Sequence, residues 1–343
     1  VRILVTGGLG FIGSNFVHFM LREHPEVAIV NLDKMTDVAN PANVEGLEGD
    51  PRYRFVRGDV ADPAAVAAVL DGIDAVVHFA AESHVDRSIK DPGSFFRTNV
   101  EGTLVLVEQA TRRKVRRFLH ISTDEVYGSL GASGSFQEGS PLRPNSPYAA
   151  SKAAADLLLR AWAKTYGAPV VITRSSNNYG PYQFPEKLIP LMILRALEDG
   201  TLPVYGDGSN VRDWIHVEDH CRALDLVLRE GRLGEVYNIG SRSEMPNIEI
   251  VRTILRLLEK PESLIRFIED RPGHDFRYAI DPGKIESELG WRPERTVGEG
   301  LAETVAWYLS HREWWDEIRN RPSWRRYFSA MYDRRLADGK PLQ

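Results

Sequence analysis

At 343 residues, 43% hydrophobic and 27% charged, the chain is long enough to bury a large core, sized for one big α/β domain with a smaller second one. Its net charge of −5 excludes a binder that relies on neutralising nucleic-acid phosphates, and its single cysteine, Cys221, excludes an intrachain disulfide framework and fits a reducing cytoplasm. No apolar run approaches a membrane span, and "VRILVTGG" has a strand's pattern rather than a signal peptide's, so a soluble cytoplasmic protein is expected.

In chain order, β-branched runs recur at "RILVT", "VAIVNLD", "YRFVRGD", "DAVVHFA", "RRFLHIS", "PVVITR" and "EVYNIG", with helical patterns between them. Strands separated by helices of this length imply right-handed crossovers and a doubly wound parallel sheet. The rhythm breaks after Arg174, where "SSNNYGPYQFPEKLIP" is rich in turn formers and proline. Residues 1–174 are therefore expected to form one domain, to which the chain returns near 211–240. Residues 175–210 and 241–343 are expected to form a smaller, mixed α/β C-terminal domain.

The first strand runs into "TGGLGFIG", with Gly7, Gly10 and Gly13 spaced three apart. Glycines here allow a tight turn and let backbone N–H groups approach a pyrophosphate at the N-terminus of the next helix, the arrangement of a Rossmann sheet. Asp33 follows 20 residues after Gly13, at the end of "VAIVNLD". An acid there accepts from both adenosine ribose hydroxyls and repels a 2′-phosphate, so NAD is expected over NADP. Asp59, ending the third run, suits either an adenine-edge contact or a cap on the following helix.

In "NSPYAASKAAADLLLRAWAKTYG", Ser146 as cap, Pro147 at the first position and Gly167 at the end predict a helix. Its spacing puts Tyr148 and Lys152 on one face, where an ammonium would stabilise phenolate, lower the tyrosine pKa and make Tyr148 a usable base. "ISTDEVYG" carries a strand straight into two adjacent acids, Asp124 and Glu125, whose proximity would push their pKa values apart. In "HVEDH", Asp219 reads as a helix N-cap, which leaves His216 on the preceding strand and completes no metal shell with His220, so no metal is expected. The aromatics of "WYLSHREWWDEIRNRPSWRRYF" read as the core face of a packed C-terminal helix.

"TGGLGFIG", "YAASK" and Thr123 resemble the extended short-chain dehydrogenase/reductase family. "HFAAESHVDRSI", "STDEVYG", "PVYGDGSNVRDWIHVEDH" and "DRPGHDFRYAID" resemble, within it, the sugar-nucleotide 4,6-dehydratases, as far as "LGWRP" near Trp291. "DKMTDVAN", with Asp37 to Ala39 after the ribose acid, departs from that pattern and leaves adenine binding open. The resemblance implies NAD-dependent oxidation of a nucleotide-activated hexose, dTDP-glucose foremost, at C4. Loss of water across C5 and C6 and return of hydrogen to C6 would follow. Tyr148 would act as base at C4 and Glu125 as base at C5. Asp124 would be the acid at C6, Thr123 would bond the C4 oxygen, and Lys152 would also hold the nicotinamide ribose.

By the same matching, Phe11, Ile12, Lys34, Thr36, Val60, Ala80, Ala81, Ser83, Thr98 and Asn178 would join the glycines and Asp33 around the cofactor. His84, Asn177, Lys187, Leu188, Pro203, Tyr205, Arg212, Asn247, Arg271 and His274 would join Thr123 around the substrate. Arg212 suits a diphosphate by its fork, or an ion pair with Asp213 or Glu218. The resemblance also implies a homodimer. A sugar-nucleotide 4-epimerase would need Tyr148 and NAD but no acid pair, and a non-catalytic NAD-binding scaffold would need only the glycine loop.

Overall fold

The computed structural model describes residues 1–270, 273–338 and 340–341. The first seven predicted strands lie in one parallel sheet. They are β1 (Arg2–Thr6), β2 (Ala28–Asp33), β3 (Tyr53–Arg57), β4 (Ala75–His78), β5 (Arg117–Thr123), β6 (Val170–Ser175) and, after three strands that lie elsewhere, β10 (Val236–Ile239). The elsewhere strands are β7 (Asn177–Tyr179), β8 (Leu202–Tyr205) and β9 (Val211–His216). The large sheet runs β10-β6-β5-β4-β1-β2-β3.

Strands buried on both faces need apolar side chains on both, which is why the runs inside the sheet are largely apolar rather than alternating, while the edge strand β3 is largely exposed and carries two arginines. One face is covered by the helix Phe11–Glu23 through Phe16, Val17 and Met20, together with Leu224 and Val227 of the helix Val217–Glu230. The other is covered by Val66, Leu106, Val107 and Leu159. Each of these larger side chains contributes roughly 1.5–3 kcal/mol by leaving water. Strand order reverses between β1 and β4, so the loops leaving their carboxyl ends part and open a crevice there.

Two three-stranded sheets form the smaller part. β9 pairs parallel with β7 and antiparallel with β11 (Glu244–Pro246). β12 (Ile265–Ile268) pairs parallel with β8 and antiparallel with β13 (Lys340–Pro341). A second core gathers Leu191, Ile193, Ile250 and Ile254 with Tyr308, Trp314 and Trp315, so the C-terminal tryptophans are interior packing.

One cap differs from the sequence reading. His216, the last residue of β9, is itself the N-cap of the helix Val217–Glu230, its Nδ1 accepting from Glu218 N–H at 3.3 Å. Asp219 falls in the first turn and accepts from Arg295 N–H at 3.0 Å and from Arg222 at 3.0 Å. The helix starts earlier because the strand's last residue supplies a ring nitrogen as acceptor, which frees the aspartate for a longer-range tie. His220 bonds Asn178 Oδ1 at 2.8 Å, and no group of three metal-ligating side chains occurs among the described residues.

Candidate active site

The glycine loop is a cradle with no room for side chains. Gly7 has φ +74°, and a Cβ there would lie 2.7 Å from Ala80 N; a Cβ on Gly13 would lie 2.3 Å from the Gly7 carbonyl oxygen. Gly10 caps the helix Phe11–Glu23 without a side-chain bond, so the first-turn N–H groups keep no side-chain acceptor from the cap. Asp33 closes β2, its Oδ2 accepting from Leu9 N–H at 3.1 Å and its Oδ1 from Met35 N–H at 2.8 Å. Burial pushes its carboxyl up, and those two N–H groups work against the rise. Met35 reaches Asp33 through a left-handed backbone, φ +60°. Lys34 donates to Thr98 Oγ1 at 2.9 Å and pairs with Glu82 at 3.2 Å.

A single cleft is lined by Gly7, Gly10, Phe11, Ile12, Gly13, Asp33, Lys34, Thr36, Val60, Ala80, Ala81, Ser83, Thr98 and Asn178, and by Thr123, Asp124, Glu125, Tyr148 and Lys152. Asp59 is not among its lining residues; its Oδ1 accepts from Ala61 N–H at 2.9 Å, while Asp62 caps the helix Pro63–Val69. Asp37 lies outside the lining too, but Val38 and Ala39 are in it, and Arg321 reaches the Asp37 and Ala39 carbonyls at 3.4 Å each.

β5 delivers the acids. It ends at Thr123, whose Oγ1 accepts from Glu125 N–H at 3.3 Å and so starts the turn Asp124–Tyr127. That cap turns Asp124 inward, where Oδ1 accepts from Thr123 at 3.3 Å, and Oδ2 is buried with no hydrogen-bond partner among the described residues. Burial first, then Glu125 and Asp213, hold the Asp124 carboxyl well above the usual carboxylate range. Glu125 is half-buried.

The helix Pro147–Tyr166 delivers the other pair. Ser146 Oγ accepts from Ala149 N–H at 3.1 Å, Pro147 opens it and Gly167 closes it at φ +65°. Lys152 donates to the Ile121 carbonyl at 2.8 Å and stands 3.4 Å from His120 Nε2; burial pulls its ammonium down to about 8. The expectation that Lys152 lowers Tyr148 is overturned for the site as it stands. Burial, with Glu125 and Asp124 nearby, pushes the phenol well above its ordinary value, and only a bond to Thr123 works the other way. The cause is geometric: the lysine turns toward a carbonyl and a ring, and two carboxyl groups face the tyrosine.

The substrate candidates are less gathered. Asn177 and Lys187 line the cleft, with Lys187 donating to the Ser83 carbonyl at 2.9 Å. His84 N-caps the helix Val85–Lys90, and its Nε2 is 3.1 Å from Tyr327 Oη and 3.6 Å from Glu186. Leu188 opens the helix Leu188–Leu197 and packs on the second core. Pro203 and Tyr205 lie on β8, where Arg335 donates to Tyr205 Oη at 2.9 Å and the Tyr332 ring stands 6.4 Å away.

Arg212 donates to the carbonyls of Val211 at 2.7 Å and Asp275 at 2.9 Å and stacks 4.3 Å over Tyr278. The carboxylates weighed for it are engaged elsewhere, Asp213 by Ser241 and Ser243, Glu218 by Arg22. Asn247 opens the helix Asn247–Leu257 with its Oδ1 buried and unpartnered among the described residues. His274 meets Asp270 at 2.6 Å. Arg271 lies outside the described residues.

Three residues that the sequence did not assign to a site, Tyr332, Arg335 and Tyr327 (read there only as a core aromatic), rest on His84 and Tyr205, and Gln183 and Phe184 line the cleft. The aromatic and basic "WRRYFSAMYDRR" was the available signal, but nothing local says which distant residues it meets.

Residues 4–304 match the family model described as GDP-mannose 4,6 dehydratase. A dTDP-glucose 4,6-dehydratase of Streptomyces niveus is 52% identical over 324 residues, covering 93% of this chain and 96% of the relative. The crystal structure of a dTDP-glucose 4,6-dehydratase from Streptomyces venezuelae, with NAD and TYD bound, is 53% identical with a TM-score of 0.91, covering 93% of this chain and 100% of that one. A UDP-glucose 4-epimerase from Thermus thermophilus, complexed with NAD, is more distant, at 30% identity and a TM-score of 0.84 over 91% of this chain and 100% of that one.

Proposed function

The chain belongs to the GDP-mannose 4,6 dehydratase family, and from that premise we propose that it is an NAD-dependent dTDP-glucose 4,6-dehydratase, a hydro-lyase that forms the 4-keto-6-deoxy sugar. The observation that carries this reading is Asp124, a buried carboxyl held well above the usual carboxylate range by burial and by Glu125, at the cleft that also holds Tyr148 and Lys152. An epimerase needs no such acid.

The cradle at Gly7 and Gly13, which a Cβ would fill, and the Asp33 carboxylate at the end of β2 fit NAD. Lys34, Thr98 and Asn178 would hold its flanks. Bound NAD would supply the acceptor for the C4 hydrogen and give that hydrogen back at C6 once water has left, so that the cofactor ends as it began. Tyr148 takes the C4 hydroxyl proton while Thr123 bonds that oxygen. The resulting ketone acidifies C5, Glu125 takes the C5 proton, and Asp124 donates to the C6 oxygen, which leaves as water; once hydrogen has returned to C6, Glu125 gives C5 a proton exchanged with solvent. Two adjacent carboxyl groups can share this work because their burial differs, the buried one keeping its proton.

In this reading residues 1–174, with the return near 211–240, carry NAD, and the remainder carries the sugar nucleotide. Tyr332 and Arg335 join Tyr205 on the substrate side. A cytoplasmic homodimer fits the lone buried thiol of Cys221 and the exposed apolar Phe96 and Leu157.

The test is incubation with dTDP-, UDP-, CDP- and GDP-hexoses, scoring loss of water. With deuterium at C4 of the substrate, the label should appear at C6 of the same product molecule while C5 takes hydrogen from solvent. Deuterium returned to C4 with inverted configuration would establish an epimerase instead. No turnover of any sugar nucleotide would leave a binding scaffold.

A further inference from the structure

Behind Lys152 lies a chain of polar groups that the chemistry above does not use. Tyr148, Lys152 and Asp156 follow one another at intervals of four on the helix Pro147–Tyr166, so they share one face. Asp156 is fully buried, its Oδ2 accepting from Arg174 Nε at 2.8 Å and its Oδ1 3.7 Å from His120 Nε2. The same His120 nitrogen is 3.4 Å from Lys152 Nζ. Arg174 is fixed in turn by Tyr127 Oη at 2.8 Å, which donates to Asn238 at 2.8 Å. A carboxylate, a ring and a guanidinium with no water access therefore back the ammonium that faces the cleft.

We infer that Asp156, anchored by Arg174 and facing Lys152 across the His120 ring, is a positioning residue that keeps Lys152 charged and aimed at the cleft. The assignment rests on the dehydratase reading for its kinetic consequence and on the geometry alone for the state of the lysine. Two buried cations, Lys152 and Arg174, share one nearby buried carboxyl, Asp156, which burial pushes up and those two cations pull back down, since His120 and His78 are both held neutral by burial and by Lys152. The titratable groups around Lys152 are His120, His78 and Asp156, with Arg174 behind Asp156 and with Tyr148, Asp124 and Glu125 lining the same cleft. Of these, Asp156 is the one that raises the lysine against its desolvation. A neutral imidazole has one N–H, so its Nε2 either accepts from Lys152 or donates toward Asp156. The ring thus responds to the charge on either side of it.

Asp156→Asn keeps the shape and removes the anion. Its kcat/KM profile should lose activity on the alkaline side about one pH unit earlier than the unmodified enzyme, roughly tenfold down near pH 8 and little changed near pH 6. Asp156→Glu should restore the limb. A loss uniform across pH, or an unmoved limb, would mean a structural role and overturn the assignment.

A second readout needs no turnover. With lysine labelled at Cε by carbon-13, the Lys152 resonance, identified by its absence from Lys152→Met, should titrate at lower pH in Asp156→Asn. An unchanged titration overturns the assignment. If the asparagine variant does not fold, the unmodified protein decides, since a Lys152 already neutral near pH 7 would overturn it. Failure of the unmodified protein to turn over any sugar nucleotide would sink the dehydratase reading while this titration still judged the network.

Discussion

The two halves of the cleft are built differently. On the cofactor side, the glycine cradle, Asp33 and Lys34 sit at the ends of neighbouring parallel strands, tied across that pairing by bonds such as Leu9 N–H to the Asp33 carboxylate. On the side we propose for the sugar nucleotide, His84, Tyr205 and Arg212 lie beyond the cleft's lining, come from separate elements and are buttressed by residues far along the chain, as when Tyr327 meets His84 across 243 positions. The first half is rigid by topology, because a strand end cannot move without its sheet. The second depends on the C-terminal helices staying docked.

The largest test falls where the halves meet. Asp124→Asn should cut water elimination by about 10²–10⁴-fold while C4 oxidation persists, since an amide cannot donate the proton. The measurement is single-turnover formation of reduced cofactor set against product. Equal loss of both steps would move the acid role elsewhere.

The same variant carries a stability signature. Folding raises the Asp124 carboxyl above its ordinary 3.8, so the group favours the folded state below that pH, and this contribution is lost as pH rises toward the folded value. Asparagine escapes that loss. Asp124→Asn should therefore melt higher than the parent near neutral pH, by about 2 °C or more, with the gain vanishing near the ordinary carboxylate pKa. A gain independent of pH would contradict it.

Next, Gly13→Val should weaken NAD binding by about 10²-fold. Its Cβ would meet the Gly7 carbonyl, a backbone atom that cannot swing aside. Asp59→Asn, altered just outside the cleft, should leave NAD affinity unchanged. If both variants bind alike, the cofactor half is softer than its topology implies.

Asp33→Ala should narrow the preference for NAD over NADP by about tenfold, the scale of one charge facing a 2′-phosphate in a partly desolvated site. Calorimetric titration with both cofactors measures it. Equal binding by the unmodified protein would remove Asp33 as the ribose ligand.

The smallest effect belongs to the substrate half. Arg335→Ala removes a donor from Tyr205 Oη and should raise KM for the sugar nucleotide about threefold, with NAD affinity untouched. A change in NAD binding would mean that the C-terminal helices brace the whole cleft.

Legibility in the sequence followed the same division. The seven strands, the capped helix Pro147–Tyr166 and the glycine cradle were readable because each signal is contiguous. Apolar runs, Ser146 with Pro147, and three glycines after a strand each carry their own physics. The His216 cap was misread because an aspartate in the right place is the commoner acceptor, and only the end of β9 shows that the histidine ring reaches Glu218 N–H first. The tyrosine's acidity was misread because charge sign is written in the sequence but orientation is not.

The sequence by itself determined the parallel sheet, the glycine turn after its first strand and the residue types of the site, because periodicity, caps and glycine spacing are local and crossovers have one hand. Tertiary structure alone decided how deeply each carboxyl is buried, where Lys152 points and which C-terminal side chains rest on His84 and Tyr205. Those outcomes depend on burial and on approach between residues tens to hundreds of positions apart, and desolvation is a property of the assembled interior, not of any stretch of chain.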